Sequence, residues 1–283
     1  MSTHVLACID GSDYSASVCD YAGWASQQLS APLVLLHVLN SPERSQLVDL
    51  STSTSLDAQE KLLAELTELD KKRIGLAEQQ AKLILEQARD RLVESGYPAP
   101  RILQHQGRLV ETLEQYDDFC QLLVLGRQGT NQKVDRKRMG SHVEQLLRTT
   151  DKPVLLVPPI FQPPGKLMLA FDGSTTTRKG VEMLATSTLL QGLHCHLVIV
   201  NEDYQHQGQL EWAEQTLRNA GLDVTATRLE GDVEYNLRQY QREHGIELIV
   251  MGAYGHSRIR QWLVGSTTTA MIAGAAVPLL ILR

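Results

Sequence analysis

Short apolar runs punctuate the chain: "HVLACI", "PLVLLHVL", "QLLVLG" and "KPVLLVP", then "KLMLAF", "HCHLVIV", "ELIVMG" and "VPLLIL". They are rich in Val, Ile and Leu and do not alternate with polar residues, the pattern of strands buried on both faces. Between them lie polar turns and segments whose apolar residues return every three or four positions, the period of amphipathic helices. The pattern predicts β-α-β-α-β-α-β-α-β, twice. Such alternation calls for parallel sheets with right-handed crossovers and helices on both faces.

The two halves share one grammar. "HVLACIDGSDYSASVCDYAGWASQQL" stands beside "KLMLAFDGSTTTRKGVEMLATSTLL", each a strand, then Asp-Gly-Ser, then a helix, so Asp10 matches Asp172. In the second strands Val38 matches Val200. Each half closes on a short apolar strand opened by proline, "PVLLVP" and "PLLILR". The proline-rich stretch "PPIFQPPG" reads as a stiff spacer. We therefore expect domains at 1–157 and 166–283 with a linker at 158–165.

The halves differ most after the second strand, where the first carries a helix-forming run over residues 56–95. Leu62, Leu66, Leu69, Ile74, Ala77, Ala81, Ile84, Ala88 and Leu92 recur in it at helical intervals, predicting one inward stripe. Unbroken, the run would reach ~58 Å, longer than a small domain, so a break near Gly75 is expected. The helix reads as a packing or dimer element, or as a lid or interface specific to the first half.

A chain of 283 residues with 42% hydrophobic and 21% charged residues has the composition of two globular domains. Its net charge of -6 gives no general attraction to nucleic acid or an anionic membrane, so an anionic ligand must be held locally. No apolar stretch has membrane-spanning length, and no leader of signal type opens the sequence, so a cytoplasmic protein is expected. Cys8, Cys19, Cys120 and Cys195 lack metal-site spacing and read as reduced, buried thiols. His194 and His196 would share one face of a strand, but no third ligand accompanies them, and no metal is assigned.

The candidate chemistry lies in the glycine turns after the fourth strands: "MGAYGHSRIRQWLVGSTTT" and the looser "LGRQGTNQKVDRKRMGSHV". Ligands of open parallel sheets sit beyond the carboxyl ends of the strands, where these turns begin. A phosphate needs several backbone N–H donors at close range, which glycine permits and Cβ atoms obstruct. Gly252, Gly255 and Gly265 meet that need, with Ser266 and Thr267 at a helix amino terminus and His256, Arg258 and Arg260 as added positive charge. Neither a P-loop nor a Rossmann glycine fingerprint occurs.

Two copies of Asp-Gly-Ser after strand one, and of G-x-x-G, a spacer and G-[ST] after strand four, resemble the universal stress protein family in its tandem form. The likeness covers nearly the whole chain. It implies two doubly wound α/β domains, each a five-stranded parallel sheet of order 3-2-1-4-5, that bind adenine nucleotide. By position, Asp172 would meet the ribose or adenine, the Val200 backbone would read the adenine edge, and Gly252, Gly255, Gly265, Ser266 and Thr267 would hold phosphates. The first-half counterparts are Asp10, Val38, Gly126, Gly129, Gly140 and Ser141. There the spacer has ten residues, Thr130 to Met139, instead of nine, and His142 replaces the hydroxyl of Thr267. The second half is accordingly the preferred nucleotide site. In the first, Lys133, Arg136, Lys137 and Arg138 are solvated or clamp a polyphosphate.

The resemblance implies a stress-response regulator that binds ATP, ADP or AMP with little or no turnover. A slow Mg-dependent ATPase and a nucleotide-free scaffold or apolar-ligand binder remain as alternatives. His256 is the nearest candidate base by sequence, but no catalytic residue is assigned. Family homodimers pair through their last strands. A tandem chain is expected to make that pairing internally, leaving a homodimer of the whole chain and an unidentified regulatory client as further partners.

Overall fold

The computed structural model describes residues 3–39, 56–129, 140–201, 208–253 and 266–283, with the backbone alone over 56–63. The first half runs β1 His4–Cys8, α1 Ser15–Gln28, β2 Leu33–Leu39, α2 Leu56–Glu94, β3 Arg101–Gln106, α3 Leu109–Glu114, β4 Cys120–Gly126, α4 Ser141–Thr149 and β5 Val154–Val157. The second repeats the order with β6 Lys166–Phe171, α5 Thr175–Thr186, β7 His194–Val200, α6 Gln209–Asn219, β8 Asp223–Leu229, α7 Val233–Glu243, β9 Leu248–Gly252, α8 Ser266–Gly274 and β10 Leu279–Leu282.

All ten strands form one sheet, ordered β3-β2-β1-β4-β5-β10-β9-β6-β7-β8. Each half is thus a 3-2-1-4-5 array, as the family resemblance implied. The halves meet at β5 and β10, which pair antiparallel with Leu155 opposite Leu280. This is the internal pairing expected of the last strands, and it gives each half's terminal edge a hydrogen-bonding neighbour.

Side chains alternate across the sheet and build two cores. Val5, Leu35, Leu122, Leu169 and Leu197 pack with α1, α2, α5 and α6 on one face. Leu6, Leu36, Leu123, Met168 and Val198 pack with α3, α4, α7 and α8 on the other. Both faces are covered, which is why the strands read as continuous apolar runs.

Long-range polar contacts tie the halves together. Arg127 donates to the Ile272 and Ala275 carbonyls at the end of α8. Arg283 donates to Thr150 at 2.7 Å and Arg148 at 3.1 Å, at the end of α4. Unpaired carbonyls concentrate at helix carboxyl ends, so each arginine meets partial negative charge there. The proline-rich stretch also packs on the first half: Phe161 lies edge-on to Tyr21, with ring centroids 4.6 Å apart.

The long helix departs from expectation. No break occurs at Gly75: α2 is one helix of 39 residues. A lone helical glycine costs only about 1 kcal/mol relative to alanine, too little to end a helix that its neighbours sustain. Nor does one stripe face inward throughout. Ala81, Leu85, Ala88 and Leu92 are buried, whereas Leu66 and Leu69 are 41% and 62% exposed. The strands beneath α2 are at most seven residues long, so the helix outruns the sheet it packs on.

Candidate functional site

A cavity of about 280 Å³ opens at the carboxyl ends of β1, β2 and β4 and the amino end of α4. Strand order reverses between β1 and β4, so this is the switch-point crevice of the first half. Asp10, Val38, Gly126, Gly129, Gly140 and Ser141 all line it. These six residues come from four separate segments and converge because three parallel strands end at one level.

Asp10 is held by the turn that it starts. Its Oδ1 accepts from the Ser12 amide at 3.0 Å, while Gly11, at φ +77°, turns the chain into α1. Asp172 makes the same turn, with Oδ1 accepting from the Ser174 amide at 3.0 Å and the Thr177 hydroxyl at 2.7 Å. The turn-forming role of Asp-Gly-Ser is therefore real in both halves. In the first half Asp10 also contributes to the cavity wall.

Close approach demands a glycine at 126 and favours one at 129. A Cβ on Gly126 would lie 2.6 Å from the Tyr14 Cβ, and one on Gly129 would lie 3.0 Å from Asp10 Oδ2. Gly140 precedes α4 in extended conformation and, as a glycine, brings no capping side chain of its own to that helix. Its first amides and the Ser141 hydroxyl therefore offer donors where the helix dipole favours an anion.

Sequence reading took Cys8 only as a buried thiol and passed over His37 and Gln128, yet all three also line the cavity. Nδ1–H of buried His37 donates to the Ile9 carbonyl at 2.6 Å. Burial lowers the His37 pKa, against smaller raising effects of that bond and of Asp10. The ring is neutral near neutral pH, with Nε2 as its acceptor. Burial raises the Cys8 thiol well above its ordinary value, with Cys120 and Asp10 acting in the same direction. It is no ready nucleophile. The hydrogen bond of His37 links residues distant in sequence, so neither motif nor period announces it.

In the second half Asp172, Val200 and Gly252 follow or end the adjacent strands β6, β7 and β9, and Ser266 and Thr267 open α8. The Thr268 hydroxyl donates to the Gly252 carbonyl at 3.1 Å, fastening α8 to the end of β9. Gly255, Gly265, His256, Arg258 and Arg260 lie outside the described residues, as do Lys133, Arg136, Lys137 and Arg138 of the first-half loop.

The two histidines of β7 share one face, with rings 4.7 Å apart. They sit at the opposite end of that strand from Val200. His194 bonds Asp223 at 2.5 Å and Thr225 at 3.0 Å, and His196 bonds the Tyr240 hydroxyl at 3.0 Å. Cys19, Cys120 and Cys195 are buried, with their thiols pushed up to about 12 chiefly by burial. Among the described residues no helix is long and apolar enough to cross a membrane.

Comparison with known proteins places this geometry in a family. The model of the universal stress protein family matches residues 1–158 and again 164–283. Universal stress protein Slr1230 of Synechocystis is 33% identical over 285 residues, with 99% of each chain covered. Among solved structures, a universal stress protein of Archaeoglobus fulgidus superposes with a TM-score of 0.69 at 19% identity, covering 99% of this chain and 98% of that one. A functionally unknown protein of Pseudomonas aeruginosa, PA1789, gives a TM-score of 0.62 at 16% identity, with 99% and 92% covered.

Proposed function

Because the chain belongs to the universal stress protein family, with two family domains in tandem, we propose that it is a stress-response regulator that binds adenine nucleotide and turns it over little or not at all. The observation that carries this reading is the convergence of Asp10, Val38, Gly126, Gly129, Gly140 and Ser141 on one cavity at the switch point. Adenine lies against the Val38 backbone and the ribose meets Asp10. The phosphates lie over Gly126 and Gly129 and against the amides and Ser141 hydroxyl at the start of α4. At about 280 Å³ the cavity is near the lower end of ordinary small-molecule sites, which suits a nucleoside with its phosphates reaching outward.

The second half binds by the same plan through Asp172, Val200, Gly252, Gly255, Gly265, Ser266 and Thr267. Its nine-residue spacer and second hydroxyl make it the better match to the family pattern. Binding is favoured over hydrolysis because Asp10 is the sole carboxylate among the described residues that line the cavity, and its Oδ1 already holds the turn. Phosphoryl transfer depends on metal-holding groups and on one that orients water. The protein acts in the cytoplasm and signals by changing its contacts with a client.

Calorimetric titration of the full chain with ATP, ADP and AMP tests the reading, alongside mass spectrometry of small molecules released from freshly purified protein. Wild type binds at least one of the three. Gly129→Val, whose side chain meets Asp10, together with Gly265→Val weakens binding tenfold or more, about 1.4 kcal/mol. Wild type that neither releases nor binds a nucleotide would overturn the proposal.

A further inference from the structure

The face of the sheet that carries α3 and α7 is finished differently in the two halves. From Gly107 to Tyr116 and from Gly231 to Tyr240 the halves match in length and end alike, in "EQY" and "RQY". Beyond the tyrosine they part. The first half reaches Leu122, beside Val5, through residues 117–121, whereas the second reaches Leu248, beside Leu167, through 241–247. Accordingly α3 stops at Glu114, short of Tyr116, and one turn of 3-10 helix follows at Asp117–Phe119. Helix α7 contains Tyr240 and runs on to Glu243.

Tyr240 lies over β7 and β8, where its hydroxyl bonds His196 and Thr227, each at 3.0 Å. Strand register makes Val34 and Leu103 their counterparts, and neither side chain offers a hydrogen bond. The Tyr116 hydroxyl bonds His105 Nε2 at 2.5 Å instead, farther along β3. The floor formed by Leu6, Val34 and Leu103 is left uncovered, and a cavity of about 470 Å³ opens on it.

This cavity lies at the amino ends of β1, β2 and β3, the opposite end of the sheet from the switch-point cavity, and has the volume of an ordinary small-molecule site. Because the second half fills the equivalent space, the opening is no requirement of the fold. Its apolar floor, with Tyr116 and Phe119 as aromatic walls, suits a ring-sized apolar body rather than a sugar or a phosphate chain. Arg101 also lines it, exposed, and its guanidinium makes no ion pair or hydrogen bond among the described residues. No carboxylate is among the described residues of the lining, so an entering anion meets that guanidinium unopposed. His4, in the same lining, keeps Nδ1 enclosed and without a hydrogen-bond partner among the described residues. The ring gains by turning toward a polar group brought into the cavity.

We propose that this cavity is a second ligand site, separate from the nucleotide site, for a small organic acid with an apolar, ring-sized body. The body lies on Leu6, Val34 and Leu103 between Tyr116 and Phe119, and the carboxylate pairs with Arg101. The inference does not rest on nucleotide binding.

Calorimetric titration of the full chain with naphthaleneacetate, beside its uncharged analogue naphthaleneethanol, tests the site. Wild type binds the acid about tenfold or more tightly than the alcohol. Arg101→Gln, at an exposed position, keeps the melting temperature and removes that preference by weakening the acid alone. Val34→Phe occupies the floor and weakens both. In wild type the acid slows hydrogen exchange over residues 101–103 and 115–120, which depends on neither variant folding, and excess ATP leaves its affinity unchanged. Absence of binding, equal binding of acid and alcohol, a preference that survives Arg101→Gln, undiminished binding by Val34→Phe, protection confined to other segments, or displacement by ATP overturns the proposal.

Discussion

Val34 and His196 hold the same place in the two halves, four residues before Val38 and Val200, yet their surroundings differ. Around Val34 a cavity of about 470 Å³ remains open, walled by Leu6, Leu103, Tyr116 and Phe119. Around His196 the space is filled: its ring lies 5.5 Å from that of His244, which stacks on Tyr240 at 3.8 Å. Burial first, then His194, His244 and Lys166, lowers the His196 pKa to about 4, against the opposing pull of Asp223. A depressed histidine binds fewer protons folded than unfolded between about 4 and 6.5, so its contribution is complete above that window and is lost as pH falls through it. The loss reaches roughly 3 kcal/mol at most, with about 2 kcal/mol gone by about pH 5. Urea unfolding at neutral and acid pH checks this, and His196→Val, which installs the first-half residue, removes most of the dependence. Equal pH dependence in the variant would show that another group is responsible. Local spacing places His194 and His196 on one face, but their pairing with Asp223 and Tyr240 depends on how β8 and α7 fold against β7.

Among the elements, α2 shows where periodicity misleads. The glycine marks no break and the stripe no single face, because a period reports which residues align and not how much protein lies beside them. An ideal Cβ on Gly75 meets nothing within 4 Å. Gly75→Ala is therefore expected to stabilise the helix by up to about 1 kcal/mol, since alanine loses less backbone freedom there. Slower hydrogen exchange around residue 75, with the sheet strands unchanged, is the expected result; faster exchange would mean that the glycine serves a bend. The other elements were more legible: every strand and helix of the doubled β-α order is present. Their apolar runs are short, separated by turn residues, and buried on both faces.

For the whole molecule, one ten-stranded sheet leads us to expect that the halves unfold together at their seam. Leu155 and Leu280 face each other there, 1% and 0% exposed, within a core that draws on both halves. Leu280→Ala leaves a cavity and is expected to cost about 2–5 kcal/mol. Hydrogen exchange should then quicken in β1 and β6 alike. Acceleration confined to the second half would show that the halves are separate cooperative units. The crossed arginines act in the same direction, since Arg127 and Arg283 each close a helix of the other half.

What the sequence determined by itself is the repeated order of elements, the Asp-Gly-Ser turns and the glycine positions beside the candidate site. Each depends on neighbours a few residues apart, through side-chain period, positive φ or the want of a Cβ. The convergence of Asp10, Val38 and Gly126 follows from that order, since parallel strands bring their carboxyl ends together. Only the tertiary structure decided that Gly129 faces Asp10, that buried His37 stands against Ile9 in the same cavity, that Arg127 reaches α8, and that the outer leucines of α2 find no cover among the described residues. Those outcomes depend on distances between segments far apart in sequence and on the height of the sheet beneath the helix, which no local pattern encodes.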